Sequence, residues 1–305
     1  MNEESLVTEN SFSSPTRRSF FKSSLFLNSL LIGTSFPSSV PANAAAVLPS
    51  ESVKLDVGLL ESRVDSNVLN PPPYGMEGTD IFYPSWFAGT WKVSSTTKEI
   101  QAPLGVGLFG GNSTYQAALN DVGDVLRYES RFITTDATPS NNDNDNNAKI
   151  IADREYNVRS IAKVAMGENS VVDVSTATPN KFSCVVAPKG APSMISVDLL
   201  VLNRRQETVG PNRFDCSEVV REIATPIDRP KQQQQQQPAL LKEIETTSLY
   251  TYHPETDEIH CRQRSAAFLL PSDQNEMAMK LWQLSRGQAI DVRFYDVVYT
   301  RRKES

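Results

Sequence analysis

The sequence predicts a mainly β protein, an antiparallel β-barrel of about nine strands with one or two short helices. Three observations carry this reading. Segments in which apolar and polar side chains alternate with period two recur from residue 89 to residue 301. Short turn signals such as HPETD, residues 253 to 257, separate neighbouring segments closely enough for antiparallel pairing. Only two segments carry a convincing helical period, too few for alternating βαβ units.

Taken in order, residues 1 to 44 read as a cleaved targeting segment. TRRSFFK, Thr16 to Lys22, places Arg17 and Arg18 before two bulky apolar residues and a lysine, the twin-arginine export pattern. The apolar stretch from Leu25 to Phe36 is too short to span a bilayer as a mature helix. PANAAA then offers Ala42 and Ala44 as a small-x-small cleavage signature. Such a signal serves both the bacterial periplasm and the thylakoid lumen. The Asn- and Gln-rich tracts further on favour the lumen, while Glu3, Glu4 and Glu9 are unusual for a transit peptide, as if the sequence started late.

Residues 45 to 80 form an extended arm, because the three prolines of NPPPYG, Asn70 to Gly75, fix a non-helical path. A single barrel domain occupies residues 81 to 303. Its strands are expected from Gly89, where Trp91, Val93, Ser95 and Thr97 share one face, and then at 126–134, 170–176, 181–187, 193–205, 214–223, 243–252, 258–270 and 289–301. Within 126–134, Leu126, Tyr128 and Phe132 form the inner set. Two helices are expected. One carries Val158, Ile161, Ala162 and Ala165 on a single stripe and stops at Gly167; the other runs from an N-cap at Ser272 through Met277, Leu281 and Leu284 to Gly287. The tracts at 139–147 and 231–238 lack apolar side chains and read as solvated loop insertions.

Composition narrows the function classes. The 305 residues are 39% apolar and 22% charged with a net charge of −6, and no Lys/Arg cluster provides the basic face that nucleic acid needs. Cys184, Cys216 and Cys261 match no zinc or redox spacing; one disulfide with one thiol left over is compatible with export. With only His253 and His260, no metal site is expected, and no cofactor. Gly105, Gly107 and Gly110 satisfy G-x-G-x-x-G, but no strong helix is expected after them, so the dinucleotide reading fails. The apolar loop with Leu104, Leu108 and Phe109 reads instead as a lid or a partner-contact loop. No nucleophile constellation or selected carboxylate pair appears, so no catalytic residue is assigned. Asp153, Glu155, Glu207, Glu218 and Glu276 read as surface or cap residues.

At the chain ends, Trp86 and Trp91 stand near the first strand while Tyr295, Tyr299 and Arg301 share a face of the last. If these strands meet, Arg301 can stack on an indole at the closed end. Gly89 and Trp91 as G-x-W, a late helix and this arginine together resemble the lipocalin or calycin pattern. More specifically, YPSWFAGTWKVSST, APLG, IAKVAMG, QRSAAFL and DVRFYDVVYTR look like an uncharacterised family of thylakoid-lumen proteins from cyanobacteria, algae and plants. That resemblance implies a location and supplies no catalytic residues.

The expected function is a lumenal, lipocalin-like binding protein for a small lipophilic molecule such as a pigment, quinone or lipid. Trp91, Tyr128, Phe132, Tyr250, Tyr295 and Tyr299 would line the ligand site, with Gly89, Trp91 and Arg301 closing the barrel. An assembly or stability factor for a photosynthetic membrane complex, with at most peripheral membrane contact, is the second reading, and a lumenal enzyme the third.

Overall fold

The computed structural model describes residues 58–66, 68–73, 80–135, 148–178, 180–187, 194–227, 240–271 and 276–303. The targeting segment, both low-complexity tracts and the Ser272 cap lie outside them.

Ten strands form one antiparallel sheet in the order β3-β2-β1-β10-β9-β8-β7-β6-β5-β4. They are β1 (Gly89–Gln101), β2 (Val125–Thr134), β3 (Ile150–Ala152), β4 (Val171–Thr178), β5 (Lys181–Val186), β6 (Ile195–Gly210), β7 (Arg213–Pro226), β8 (Leu240–His253), β9 (Glu258–Leu269) and β10 (Ala289–Arg301). The nine expected strands are present, and β3 is the addition. First and last long strands pair as expected, with Trp91 opposite Arg301 and Val93 opposite Tyr299.

The sheet curls as a half-barrel. Its order ends at β3 on one side and β4 on the other, and a helix spans the seam between them. Of the five helices among the described residues, α1 (Leu59–Asp65) belongs to the arm, α2 (Val106–Phe109) and α3 (Asn112–Leu119) follow β1, α4 (Arg154–Met166) follows β3, and α5 (Glu276–Ser285) precedes β10. The seam helix is α4. Asp153 caps its start, accepting from the Tyr156 amide at 3.1 Å.

Polar side chains of α4 bond the backbone of β2. Ser160 Oγ accepts from the Glu129 amide (2.8 Å) and Asn157 Oδ1 from the Arg131 amide (2.6 Å), while Asn157 Nδ2 donates back to the Arg131 carbonyl (3.2 Å). On the other side Arg159 Nη1 donates to the Val171 carbonyl of β4 (3.3 Å). Unpaired edge groups are thus satisfied by a helix rather than a strand. The opposite face of α4 buries Val158, Ile161, Ala162 and Met166 against Phe182, Val197, Leu199, Val220 and Ile244.

The arm is not extended throughout. Helix α1 lies on the outer face, where Leu60 and Val64 pack on Val219 and Leu249. Arg63 pairs there with Glu245, which also receives Arg264 Nη1 at 3.2 Å. Strands β7 to β9 are therefore buried on both faces, which explains their near-continuous buried runs.

Candidate functional site

Gly89 begins β1 at φ 109°, a conformation that favours glycine, and a Cβ there would stand 3.3 Å from Arg301 Nη1. The preceding 3-10 turn, Ser85–Phe87, tucks Phe87 inward and leaves Trp86 stacked on Tyr252 at 5.2 Å. Arg301 clasps this corner. Its guanidinium lies 4.1 Å over the Trp91 ring, and it donates to the carbonyls of Ala88 (2.7 Å) and Trp86 (3.0 Å) and to Asp257 (2.6 Å). Trp91 Nε1 is satisfied by the Phe87 carbonyl at 2.7 Å.

From this end inward runs an aromatic wall. Tyr83, Phe87, Trp91, Phe132, Phe214, Tyr250, Tyr295 and Tyr299 are all buried in one cluster. Tyr83 and Phe87 meet Phe132 on β2 and Phe214 on β7, so the cluster bridges the curl. All six residues expected to line a ligand site face the concave side. Five lie in this cluster, and Tyr128, half-buried, packs between it and the aliphatic cluster under α4. Burial pushes the phenols of Tyr83, Tyr250 and Tyr299 well above their usual value and that of Tyr295 up to about 12, so all four are neutral near pH 7.

At the far end of β1, α2 and α3 cover the inner face. Phe109 is buried with Ile100 and Ala118 and touches Tyr115 edge-on at 5.1 Å. The segment expected as a loop carrying Leu104, Leu108 and Phe109 is thus largely helical, with Phe109 turned inward and Leu108 half-buried. The helix that follows the glycines, α3, is short and mostly polar, in keeping with the absence of a strong one, and Gly111 stands at its N-cap. The strands on either side remain antiparallel, so the dinucleotide geometry is absent from the described residues.

Between the aromatic and aliphatic walls lies a polar region that the sequence does not disclose. Arg204 Nε donates to Glu218 Oε1 at 2.7 Å; Arg154 Nη2, from α4, stands 3.3 Å from Asp80 Oδ1 and 3.8 Å from Glu218 Oε1. All four side chains are at most 3% exposed. Burial, against the pull of Arg154 and Arg204, lifts the Asp80 carboxyl to about 6. Glu218 and Glu207, read as surface residues, are corrected to buried ones. Glu218 lies opposite Arg204 in the ladder, and Glu207 accepts from the Gly58 amide beneath α1 at 3.0 Å. Asp153 is the cap already described; Glu155 and Glu276 are exposed.

Cys184, Cys216 and Cys261 are all free, buried and on the concave face. Burial raises each thiol, that of Cys184 to about 12, so none is a thiolate nucleophile near neutrality. The β8–β9 turn brings the rings of His253 and His260 within 4.6 Å, which their sequence spacing did not suggest. Among the described residues no group of three or more His, Cys, Asp or Glu could hold a metal ion, and no helix is long and apolar enough to cross a membrane.

A family described as a domain of unknown function, DUF6816, matches residues 75–300. No curated protein and no solved structure matches the chain.

Proposed function

The chain belongs to the DUF6816 family, and from that premise we propose that it is an exported, lumenal protein that binds a small lipophilic molecule, such as a pigment, quinone or lipid, on the concave face of its sheet. The observation that carries this is the make-up of that face: an aromatic wall and an aliphatic wall, separated by buried polar side chains. Ligand sites for small molecules combine apolar lining with a few placed polar groups in this way. The seam spanned by α4 is the natural approach, since a helix docked on a sheet edge moves more readily than a continuous ladder. The location rests on TRRSFFK, PANAAA and the resemblance to thylakoid-lumen proteins. Auxiliary service to photosynthesis follows from that location.

Titration of tryptophan fluorescence with carotenoids, chlorophyll derivatives, quinones and fatty acyl lipids is the test, because Trp91 stands in the aromatic wall. Saturable quenching by at least one class is expected; no response to any of them would sink the reading. The alternative, an assembly factor acting through the 104–109 segment, is weakened by the inward packing of Phe109.

A further inference from the structure

Across five adjacent strands the concave face carries one continuous polar row. Arg204 of β6, Glu218 of β7, Thr246 of β8, Ser265 of β9 and Arg293 of β10 are successive ladder partners. Each is at most 5% exposed. Directly opposed side chains in such a ladder hold their Cβ atoms about 5 Å apart, so the row is a contiguous surface. Its ends are satisfied. Arg204 bonds Glu218 Oε1, and Arg293 Nη2 bonds Asp291 Oδ2 at 2.9 Å.

The middle is different. Among the described residues Glu218 Oε2, Thr246 Oγ1 and Ser265 Oγ have no hydrogen-bond partner, and neither does Asp80 Oδ2 in the adjoining ion cluster. An interior polar atom left in this state is destabilising, and native proteins keep few. Three of these atoms sit on consecutive partners in one row, between two apolar walls and closed to solvent, which points to an occupant that enters as α4, whose Arg154 covers Glu218, moves aside.

We propose that this row holds the polar head of an uncharged, hydroxyl-bearing amphiphile, an inference that rests on the lipophile-binding reading above. A carboxylate oxygen only accepts, so Glu218 Oε2 calls for an O–H donor; the Thr246 and Ser265 hydroxyls each donate or accept, and so suit a second oxygen. Charge selects further. Asp80 and Glu218 balance Arg154 and Arg204 inside the same cluster, so a charged head would bring an uncompensated charge into a buried site. The apolar body then packs on the flanking walls.

The experiment compares four lauryl compounds below their micellar concentrations at pH 7.5: monolaurin, methyl laurate, laurate and dodecylamine, each titrated against tryptophan fluorescence. Monolaurin is expected to bind about tenfold tighter than methyl laurate, the worth of one ordinary hydrogen bond, and tighter than either charged compound. In the double variant Thr246→Val, Ser265→Ala, which keeps only the Glu218 contact, that preference should fall to a few-fold, with thermal stability equal to or above the parent. The single Ser265→Ala keeps the test open should the double variant not fold. Equal affinity for all four heads overturns the inference and leaves the lipophile reading standing. No binding of any of the four overturns the inference; the lipophile reading falls with it only if pigments, quinones and acyl lipids also give no response. A monolaurin preference undiminished by both substitutions, or a crystal structure of the loaded protein with only water on the row, also overturns the assignment.

Discussion

Arg301 satisfies four different groups at once: an indole face, two carbonyls and a carboxylate. A lysine keeps the charge and loses the planar fork, so Arg301→Lys should destabilise the protein by about 1–3 kcal/mol. For a domain of this size that is roughly 2–4 °C of melting temperature per kcal/mol. The near-ultraviolet dichroism of Trp91 should weaken with it; an unchanged melting curve would show that the clasp contributes nothing to stability. Asp80 supplies a second residue-scale test. Its carboxyl rises from the usual 3.8 to about 6 on folding, so the folded chain holds the proton more tightly than the unfolded one. That contribution is therefore fullest below about pH 4 and is lost as pH rises through 6, each tenfold difference in proton affinity between the folded and unfolded chain counting for about 1.4 kcal/mol. The stability of Asp80→Asn relative to the parent should accordingly improve between pH 4 and pH 7 in urea titrations. Parallel curves for the two proteins would refute the assignment of this slope to Asp80.

Among the elements, α4 is where a helix does a strand's work. Asn157→Ala would leave the Arg131 amide and carbonyl without that side chain, and Ser160→Ala would do the same to the Glu129 amide. Each should cost about 1–3 kcal/mol. Hydrogen exchange at Arg131 and Glu129 should quicken selectively, while the β8–β9 ladder stays protected; uniform quickening would mean global destabilisation instead. The helix itself was legible, because Val158, Ile161 and Ala162 keep a 3.6-residue stripe. So were nine strands, each long enough to show its period. β3 was not, since three residues, Ile150–Ala152, carry no period. The burial of Glu218 was hidden for a related reason. Inward and outward residues of β7 are both buried, Glu218 and Val220 under the curl and Asp215, Ser217 and Val219 beneath the arm or its surroundings, so the strand shows no contrast to read. Partner Arg204 lies beyond a register shift between Val201 and Asn203, which local spacing cannot anticipate.

At the scale of the molecule, the curl, the seam and the arm divide the sheet into a concave face with two walls and a convex face strapped by α1. The pairing of β1 with β10 was readable from Gly89, Trp91 and Arg301; the open ends at β3 and β4 were not, because closure depends on strand number and stagger rather than on any one motif. That same β1–β10 pairing sets the order of events when the chain folds. Arg301 and the Ala88 carbonyl it binds are 213 residues apart in sequence. During synthesis β1 can find β2 early, but its other edge stays bare until β10 has emerged, and so does the far edge of β9. Loop closure over such a span is slow, and two exposed edges in the meantime are templates for self-association. The clasp at Trp91 is thus also the last stitch, the contact whose formation ends the interval in which the unfinished chain most needs a chaperone.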